Sequence, residues 1–145
     1  MTDTENHTIR PMTADDYDKV FAMWQITTKR ALSGADSRES IARYLERNPG
    51  MSQVALDGDS VIGTVLAGHD GRRGFIHHMA VHPDYRRHHI GRELALTALE
   101  KIGSDGIEKT HIFCYRDNSL GQNFWKSLGF EERDDICEFS YDHKE

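Results

Sequence analysis

Cysteine and proline are both scarce in this sequence of 145 residues, which contains 2 cysteines and 3 prolines. Cys114 and Cys137 lie far apart and form no CxxC pair, so we expect buried thiols in a reducing compartment rather than a disulfide framework. No apolar run approaches the roughly 18 to 20 residues of a membrane span. The polar N-terminus also lacks the apolar stretch of a signal peptide. We therefore expect a cytoplasmic protein with no membrane partner.

An excess of positive charge is missing as well. The 18 basic and 24 acidic side chains give a formal charge of −6 at pH 7. Nucleic-acid binding depends on neutralising phosphates, so this balance argues against a nucleic-acid partner. The length predicts a single domain over residues 1–145, with a disordered segment at 1–6.

Apolar periodicity predicts strands and helices in the order β-α-α-β-β-β-α-β-α-β. Steps of three and four residues predict helices after Thr13 and after Asp36, where hydroxyl and carboxyl side chains form capping patterns. A third helix has Ile90, Leu94, Ala98 and Ile102 on its inner face. A short fourth helix begins at Asn118 or Ser119, has Leu120, Phe124 and Leu128 facing inward, and ends at Gly129.

The strands predict an α/β fold with a central mixed sheet. Asp57-Gly58 is a hairpin signal, and the unit from Phe75 to Tyr115 is a β-α-β crossover whose strands should be parallel. The other strands should be antiparallel, with one or two final strands after Phe130. We expect six to seven strands, mostly antiparallel, with about four helices on both faces.

The junction from Met79 to Arg92 carries the strongest chemical signal. A buried strand ends, and a basic loop runs directly into a helix N-terminus. Backbone N–H groups and the positive end of the helix then converge on one point, which suits a pyrophosphate. The alternative is a simple connection whose arginines are solvated.

The residues of this junction resemble a known family. Val81-His-Pro-Asp-Tyr-Arg-Arg-His-His-Ile-Gly is similar to the acetyl-coenzyme A signature of the GNAT N-acetyltransferases, Arg/Gln-x-x-Gly-x-Gly/Ala. Asn118 to Phe130 resembles the later Asn…Phe-Tyr/Trp-x-x-x-Gly-Phe segment of that family. Ile9-Arg-Pro-Met-Thr-Ala-Asp-Asp resembles its first strand and helix. Gly68 to Gly74 resembles a bacterial branch with mostly unassigned substrates.

The resemblance implies a division of labour around bound acetyl-coenzyme A. The strand backbone would pair with the pantetheine arm, the loop and helix start would hold the pyrophosphate, and a later segment would approach the thioester end. The two parallel strands would separate after Val81. The implied cofactor-binding residues are Met79, Ala80, Val81, Arg86, Arg87, His88, His89, Ile90, Gly91, Arg92, Asn118, Phe124 and Trp125.

Two residues depart from the family pattern. His89 replaces the first glycine of the signature, a position that favours positive φ or close approach of a phosphate. Histidine tolerates positive φ better than most residues, but its ring could crowd the site. Trp125 stands where many relatives have a tyrosine general acid, and an indole cannot supply that proton. Tyr115 is a candidate substitute.

The candidate general bases are His77 and His78, since a neutral imidazole can accept a proton at pH 7. Neighbouring strand residues point to opposite faces, so we expect at most one of them to face the substrate. The acceptor pocket is expected between the first two helices and the loop before the signature strand. Its candidate residues are Trp24, His69, Asp70, Arg72 and Arg73.

The histidines also raise the possibility of a metal site. Five of them crowd the stretch from His77 to His89, but there is no HExxH motif and no cysteine cluster, so we expect no metal.

The leading hypothesis is transfer of an acetyl group from acetyl-coenzyme A to a primary amine of a small molecule or a protein N-terminus. Transfer would occur by direct attack in a ternary complex, because no activated nucleophile is evident. The alternative is an acyl-coenzyme A-binding sensor of the same fold with little or no catalysis. Homodimerisation is an open possibility.

Overall fold

The structure, a computed structural model, describes residues 7–86 and 88–143. The expected disordered segment at 1–6 and the predicted phosphate ligand Arg87 lie outside the described residues. The chain divides into two compact units, Met1–Phe113 and Cys114–Glu145.

The first unit contains a five-stranded sheet in the order β1-β2-β3-β4-β5. Its first four strands form an antiparallel meander, and β4 pairs with β5 in parallel, so the predicted β-α-β unit is present. The strands are β1 His7–Pro11, β2 Gln53–Asp57, β3 Ser60–His69, β4 Gly74–Val81 and β5 Thr110–Ile112.

Helices lie on both faces of this sheet. They are α1 Tyr17–Thr27, α2 Arg38–Arg47 and α3 Ile90–Ser104. Thr64 of β3 accepts a hydrogen bond from Trp24 of α1, whereas its neighbour Gly63 faces Leu94 of α3. Because successive strand residues point to opposite faces, α1 and α3 lie on opposite sides of the sheet.

The predicted inner face of α3 is confirmed, because Ile90, Leu94, Ala98 and Ile102 are all buried. On the other side, a second apolar cluster joins α1 and α2 to the sheet. Burial of these side chains is the main favourable contribution to folding of the unit. The fully buried members of the second cluster are Met12, Val20, Met23, Trp24, Ile41, Val54, Leu66 and Ala80.

The start of α2 differs from the prediction. Ser37, not Asp36, is its N-cap residue, with the serine side chain accepting a hydrogen bond from the backbone N–H of Ser40. Asp36 ends the short 3-10 turn Gly34–Asp36 and is buried. Its carboxylate is therefore not solvated at a helix terminus but has partners inside the protein.

The second unit contains one helix, α4 Ser119–Ser127. As predicted, Asn118 caps it, by accepting from the N–H of Gly121 at 2.9 Å, and Gly129 follows it with φ +96°. Leu120 was expected to face inward, but it is 82% exposed. The buried side chain is Trp125, which packs edge-on against Phe130, so the inner face is rotated relative to the prediction.

The predicted final strands are not present in the part of the chain that the structure describes, and the sheet has five strands rather than six or seven. Ile136, Phe139 and Tyr141 are exposed. Cys137 was expected to be buried but is exposed as well, and Cys114 is only partly buried. Alternating apolar residues form a stable strand only where a neighbouring strand accepts their backbone hydrogen bonds. The predicted strand Thr110–Tyr115 is likewise shorter, ending at Ile112.

Across residues 7–86 and 88–143, none of the helices combines the length and apolar character needed to cross a bilayer.

Gly63 allows α3 to approach the sheet, and its replacement should be costly. An added Cβ would lie 2.9 Å from Leu94 Cδ1 and 3.2 Å from Ile90 Cγ2, and both side chains are buried. We expect Gly63→Ala to lower the free energy of unfolding by about 1–3 kcal/mol, measured by urea denaturation. Gly103→Ala, where a Cβ meets open space, is the control and should leave stability unchanged or raise it by about 0.5–1 kcal/mol. Equal stabilities of the two variants would contradict this close packing.

Candidate functional site

The parallel pair β4–β5 is short and leaves much of β4 without a partner on that side. Its pairing begins at Gly74 and Thr110 and ends at Ile76 and Ile112. Within the described residues, β4 continues from His77 to Val81 with β3 on one side and no strand on the side of β5. The resemblance implied separation after Val81, but the strands part earlier, after Ile76. Backbone groups of β4 are thereby left available to an extended ligand.

A β-bulge interrupts β4 at the same place. Thr64 pairs with Ala80 and Leu66 pairs with His77, so His78 and Met79 both lie opposite Val65. His78 has a φ of +45°, in the left-handed region. Such a bulge bends a strand and redirects its side chains.

The bulge overturns the expectation that His77 and His78 face opposite sides. The ring of His77 lies 6.2 Å from that of Tyr44 in α2, and the ring of His78 stacks on Trp24 in α1 at 4.3 Å. Both imidazoles therefore contact the helices that cover one face of the sheet.

His78 is held on both sides of its ring. Its Nε2 lies 2.9 Å from Asp36 Oδ1, and its Nδ1 lies 3.1 Å from Thr28 Oγ1. The side chains of His78 and Asp36 are only 6% and 7% exposed. A carboxylate can only accept, so Nε2 carries a proton, and in the neutral ring Nδ1 accepts from the Thr28 hydroxyl. No ring lone pair is free to take a proton from a substrate.

His77 is half-buried and has a different environment. Burial lowers its pKa below the ordinary value of 6.5, with a smaller contribution from the neighbouring His78. Its ring also stacks near Phe75. The adjacent Tyr44 is buried deeply enough to raise its pKa to about 12, so it stays protonated at neutral pH. His77 is therefore a neutral imidazole at pH 7 and can accept a proton.

Past Val81 the chain makes one 3-10 turn at Pro83–Tyr85 and then enters α3. His82 Nδ1 accepts from the N–H of Asp84 at 3.1 Å, and Arg86 Nε donates to the carbonyl of Val81 at 3.2 Å. His89, the residue just before α3, has a φ of +61°. This is the positive φ that the glycine of the signature pattern predicted.

The start of α3 has the features of an anion site. Ile90 turns its side chain into the core, whereas His89 and Arg92 are exposed. The helix is 15 residues long, so its unpaired N–H groups and its dipole favour negative charge at this end.

Four of the candidate acceptor residues do not lie near the start of α3. These are His69, Asp70, Arg72 and Arg73, which precede β4. The anion site at the start of α3, here called the cradle, follows β4, and the strand between them spans roughly 23 Å. His69 Nε2 pairs with Asp105 at 2.9 Å. Backbone N–H groups of Arg73 and Arg72 donate to Asp70 and hold its pKa below the ordinary value. These residues and the cradle therefore occupy opposite ends of β4.

Trp24 is fully buried and donates from Nε1 to Thr64 Oγ1 at 2.9 Å. The remaining candidates, Tyr115, Asn118, Phe124 and Trp125, belong to the second unit. Tyr115 is exposed there, and Phe124 packs edge-on against Trp125 at 4.9 Å.

Asp36 and Thr28 are the residues that sequence reasoning missed. Asp36 was assigned to a helix cap, and Thr28 was not singled out. They reach His78 from 42 and 50 positions away in the chain, so no local pattern links them. The one weak signal was that Asp36 is the only acidic residue in the connection between the two helices, residues 28–37.

Among the side chains that the structure describes, no three or more His, Cys, Asp or Glu converge as a metal site would require.

Comparison with other proteins extends the resemblance to nearly the whole chain. An acetyltransferase of Sodalis glossinidius (strain morsitans) is 28% identical over 128 residues, covering 88% of this chain and 89% of that protein. An acetyltransferase of Yersinia pseudotuberculosis serotype I (strain IP32953) is 29% identical over 128 residues, covering 88% and 90%.

Two solved structures are similar in fold. One is the PaiA N-acetyltransferase from Thermoplasma acidophilum in complex with coenzyme A, with a TM-score of 0.77, 20% identity and coverage of 90% of this chain and 92% of that chain. The other is an aminoglycoside acetyltransferase from an uncultured soil metagenomic sample in complex with sisomicin, with a TM-score of 0.79, 15% identity and coverage of 98% and 99%.

The family match spans both the strand-to-helix junction and the helix after Asn118. Residues 15–130 match the acetyltransferase (GNAT) family. The chain therefore belongs to the GNAT family and is an acetyl-coenzyme A-dependent acyltransferase.

Proposed function

We propose that this protein transfers an acetyl group from acetyl-coenzyme A to a primary amine of a small molecule or a protein N-terminus, by direct attack in a ternary complex. The observation that carries the proposal is the course of β4. This strand leaves β5 after Ile76, continues to Val81 with no strand partner on that side among the described residues, and leads within nine residues to the N-terminus of α3.

The cofactor side of the proposal uses that edge and the following loop. Backbone groups of Met79 and Val81, on either side of Ala80, would hydrogen-bond to the amides of the pantetheine arm. Arg86, Arg87 and His88 to Arg92 would surround the pyrophosphate, where the dipole of α3 favours negative charge. Asn118, Phe124 and Trp125 stay proposed ligands from the second unit. Bound acetyl-coenzyme A supplies the acetyl group as a thioester.

His77 is the residue we assign to accept the amine proton. It is half-buried, and burial lowers its pKa, which keeps the imidazole neutral at pH 7. His78 is the poorer candidate, because both of its ring nitrogens are bonded to other side chains. Tyr115 stays a proposed source of the proton for the leaving thiolate.

The proposed acceptor is a primary amine of a small molecule or of a protein N-terminus. The fold neighbour that carries sisomicin supports testing aminoglycosides beside simpler amines. Arg72 and Arg73 could contact an acceptor only if it extended along the sheet, because they lie at the far end of β4.

Thermal unfolding tests the cofactor site. Acetyl-coenzyme A at about 100 times its dissociation constant should stabilise the protein by about 2.7 kcal/mol and raise the melting temperature by several degrees. Arg92→Gln should weaken binding about tenfold or more, since it removes a charge at the helix start. Arg43→Gln removes the same charge from an exposed position on α2 and should bind like wild type. Equal weakening in both variants would contradict the proposed cradle.

Turnover separates an enzyme from a sensor. Sisomicin, n-butylamine and a short peptide with a free N-terminus are incubated with acetyl-coenzyme A, and released thiol is followed. Binding with no thiol above the uncatalysed rate for any amine would favour the sensor.

His89→Gly tests the left-handed residue at the helix start. Glycine adopts φ +61° without the steric cost that a side chain has, so we expect the free energy of unfolding to rise by up to about 1 kcal/mol. If the His89 ring crowds the pyrophosphate, coenzyme A should also bind more tightly, as measured by calorimetry. Unchanged or weaker affinity would argue against crowding.

His77→Gln tests the general base. We expect kcat/KM to fall by about 10²–10⁴. In wild type, kcat/KM should fall as the pH drops through the pKa of His77, which lies below 6.5, because protonation removes the accepting lone pair. The variant should lose that acidic limb. His111→Gln, on the strand paired with β4, is the control and should keep both the rate and the limb.

A further inference from the structure

We infer that His78 is a positioning residue: it holds both ends of the α1–α2 connection, residues 28–37, against the bulge of β4, and the connection forms a wall beside the acceptor. The hydrogen bonds of His78 to Thr28 and Asp36 are called the clip below. The geometry joins three segments that are distant in the chain. Thr28 is the first residue after α1, Asp36 lies just before α2, and both hydrogen-bond the same imidazole.

The His78 ring at the centre of the clip is buried and stacked on a neighbouring ring. The His78 ring lies flat on Trp24, with 4.3 Å between centroids and 23° between planes. The left-handed φ of His78 at the bulge turns this ring toward α1. The carbonyl of the same residue accepts from Thr64 Oγ1 at 3.0 Å, so its backbone is held as firmly as its side chain.

Asp36 links His78 to the α1–α2 connection and to α1 through its other hydrogen bonds. Its Oδ1 faces His78, its Oδ2 accepts from the N–H of Ser33 at 3.0 Å, and its carbonyl accepts from the Tyr17 hydroxyl at 2.6 Å. Each of these three acceptor atoms of the buried Asp36 thus has its own partner: His78 in β4, Ser33 in the connection and Tyr17 in α1. Loss of the carboxylate would release the 3-10 turn and would leave the buried His78 N–H without an acceptor.

This clip bears on the reaction through the neighbouring His77. The α1–α2 connection borders the face of the sheet on which His77 lies, and His78 follows His77 directly in the chain. In this inference, which rests on the proposed function, the clip holds the connection where it presents the amine to His77. Loosening it should raise the KM for the amine more than it changes acetyl-coenzyme A binding.

The chain offers a matched control for this clip. His69 Nε2 and Asp105 Oδ2 are also 2.9 Å apart, but their side chains are 20% and 49% exposed. Asp36→Ala and Asp105→Ala therefore remove the same kind of pair from buried and exposed sites. Asp36→Asn keeps one oxygen that can accept from His78, but its amide NH₂ cannot accept from the Ser33 N–H, so it serves as the partial variant.

Hydrogen exchange followed by mass spectrometry tests the clip in the free protein. We expect Asp36→Ala to accelerate amide exchange in residues 28–37 by about tenfold or more, with β1 and β2 unchanged. Asp36→Asn should give an exchange rate between those of wild type and Asp36→Ala, and Asp105→Ala should leave the protection intact. Unchanged exchange in 28–37, or equal acceleration throughout the sheet, would overturn the clip.

Kinetics test its role in the reaction, with the amine of the panel that is acetylated fastest. Asp36→Ala should raise the KM for that amine about tenfold and change the dissociation constant of acetyl-coenzyme A less than about twofold. Equal losses for both substrates would overturn the positioning role. If wild type fails to bind acetyl-coenzyme A, the proposed function fails, and the exchange result still decides whether the clip exists.

Discussion

The bulge in β4 is the constraint on which the rest of the first unit depends. His78 and Met79 occupy the space of one residue opposite Val65, and His78 accepts a left-handed backbone to do so. A non-glycine residue in that region costs about 1–2 kcal/mol, which the surrounding contacts must offset. Thr64 bonds the carbonyl of His78 and accepts in turn from Trp24. The strain is thus held by a hydrogen-bonded series that begins in α1.

The two sides of β4 consequently serve different purposes. Toward β5, the strand ends its pairing at Ile76 and exposes backbone groups up to Val81. Toward α1 and α2, it presents two imidazoles, one half-buried and one fully engaged. The end of pairing with β5, the bulge that changes the direction of the side chains and the entry to α3 therefore all lie in one short stretch of chain.

Much of the fold could be predicted from local patterns. The burial of Ile90, Leu94, Ala98 and Ile102, the Asp57-Gly58 hairpin and the positive φ at position 89 all follow from periodicity or motif position. The bulge could not be predicted, because a histidine carries no local sign of a left-handed backbone. The pairing of Asp36 with His78 was also out of reach, because it depends on how the chain folds between them. The final strands were overestimated, because alternation alone does not supply a neighbouring strand.

The placement of the two tryptophans has a practical consequence. Trp24 lies in the first unit, stacked on His78, and Trp125 lies in the second, between Phe124 and Phe130. The chain contains no others. Replacing either indole with phenylalanine therefore leaves one tryptophan, whose emission, excited at wavelengths beyond the absorption of the five tyrosines, reports on one unit. Emission spectra recorded during denaturation would then reveal whether the two units lose structure in one cooperative transition or in sequence.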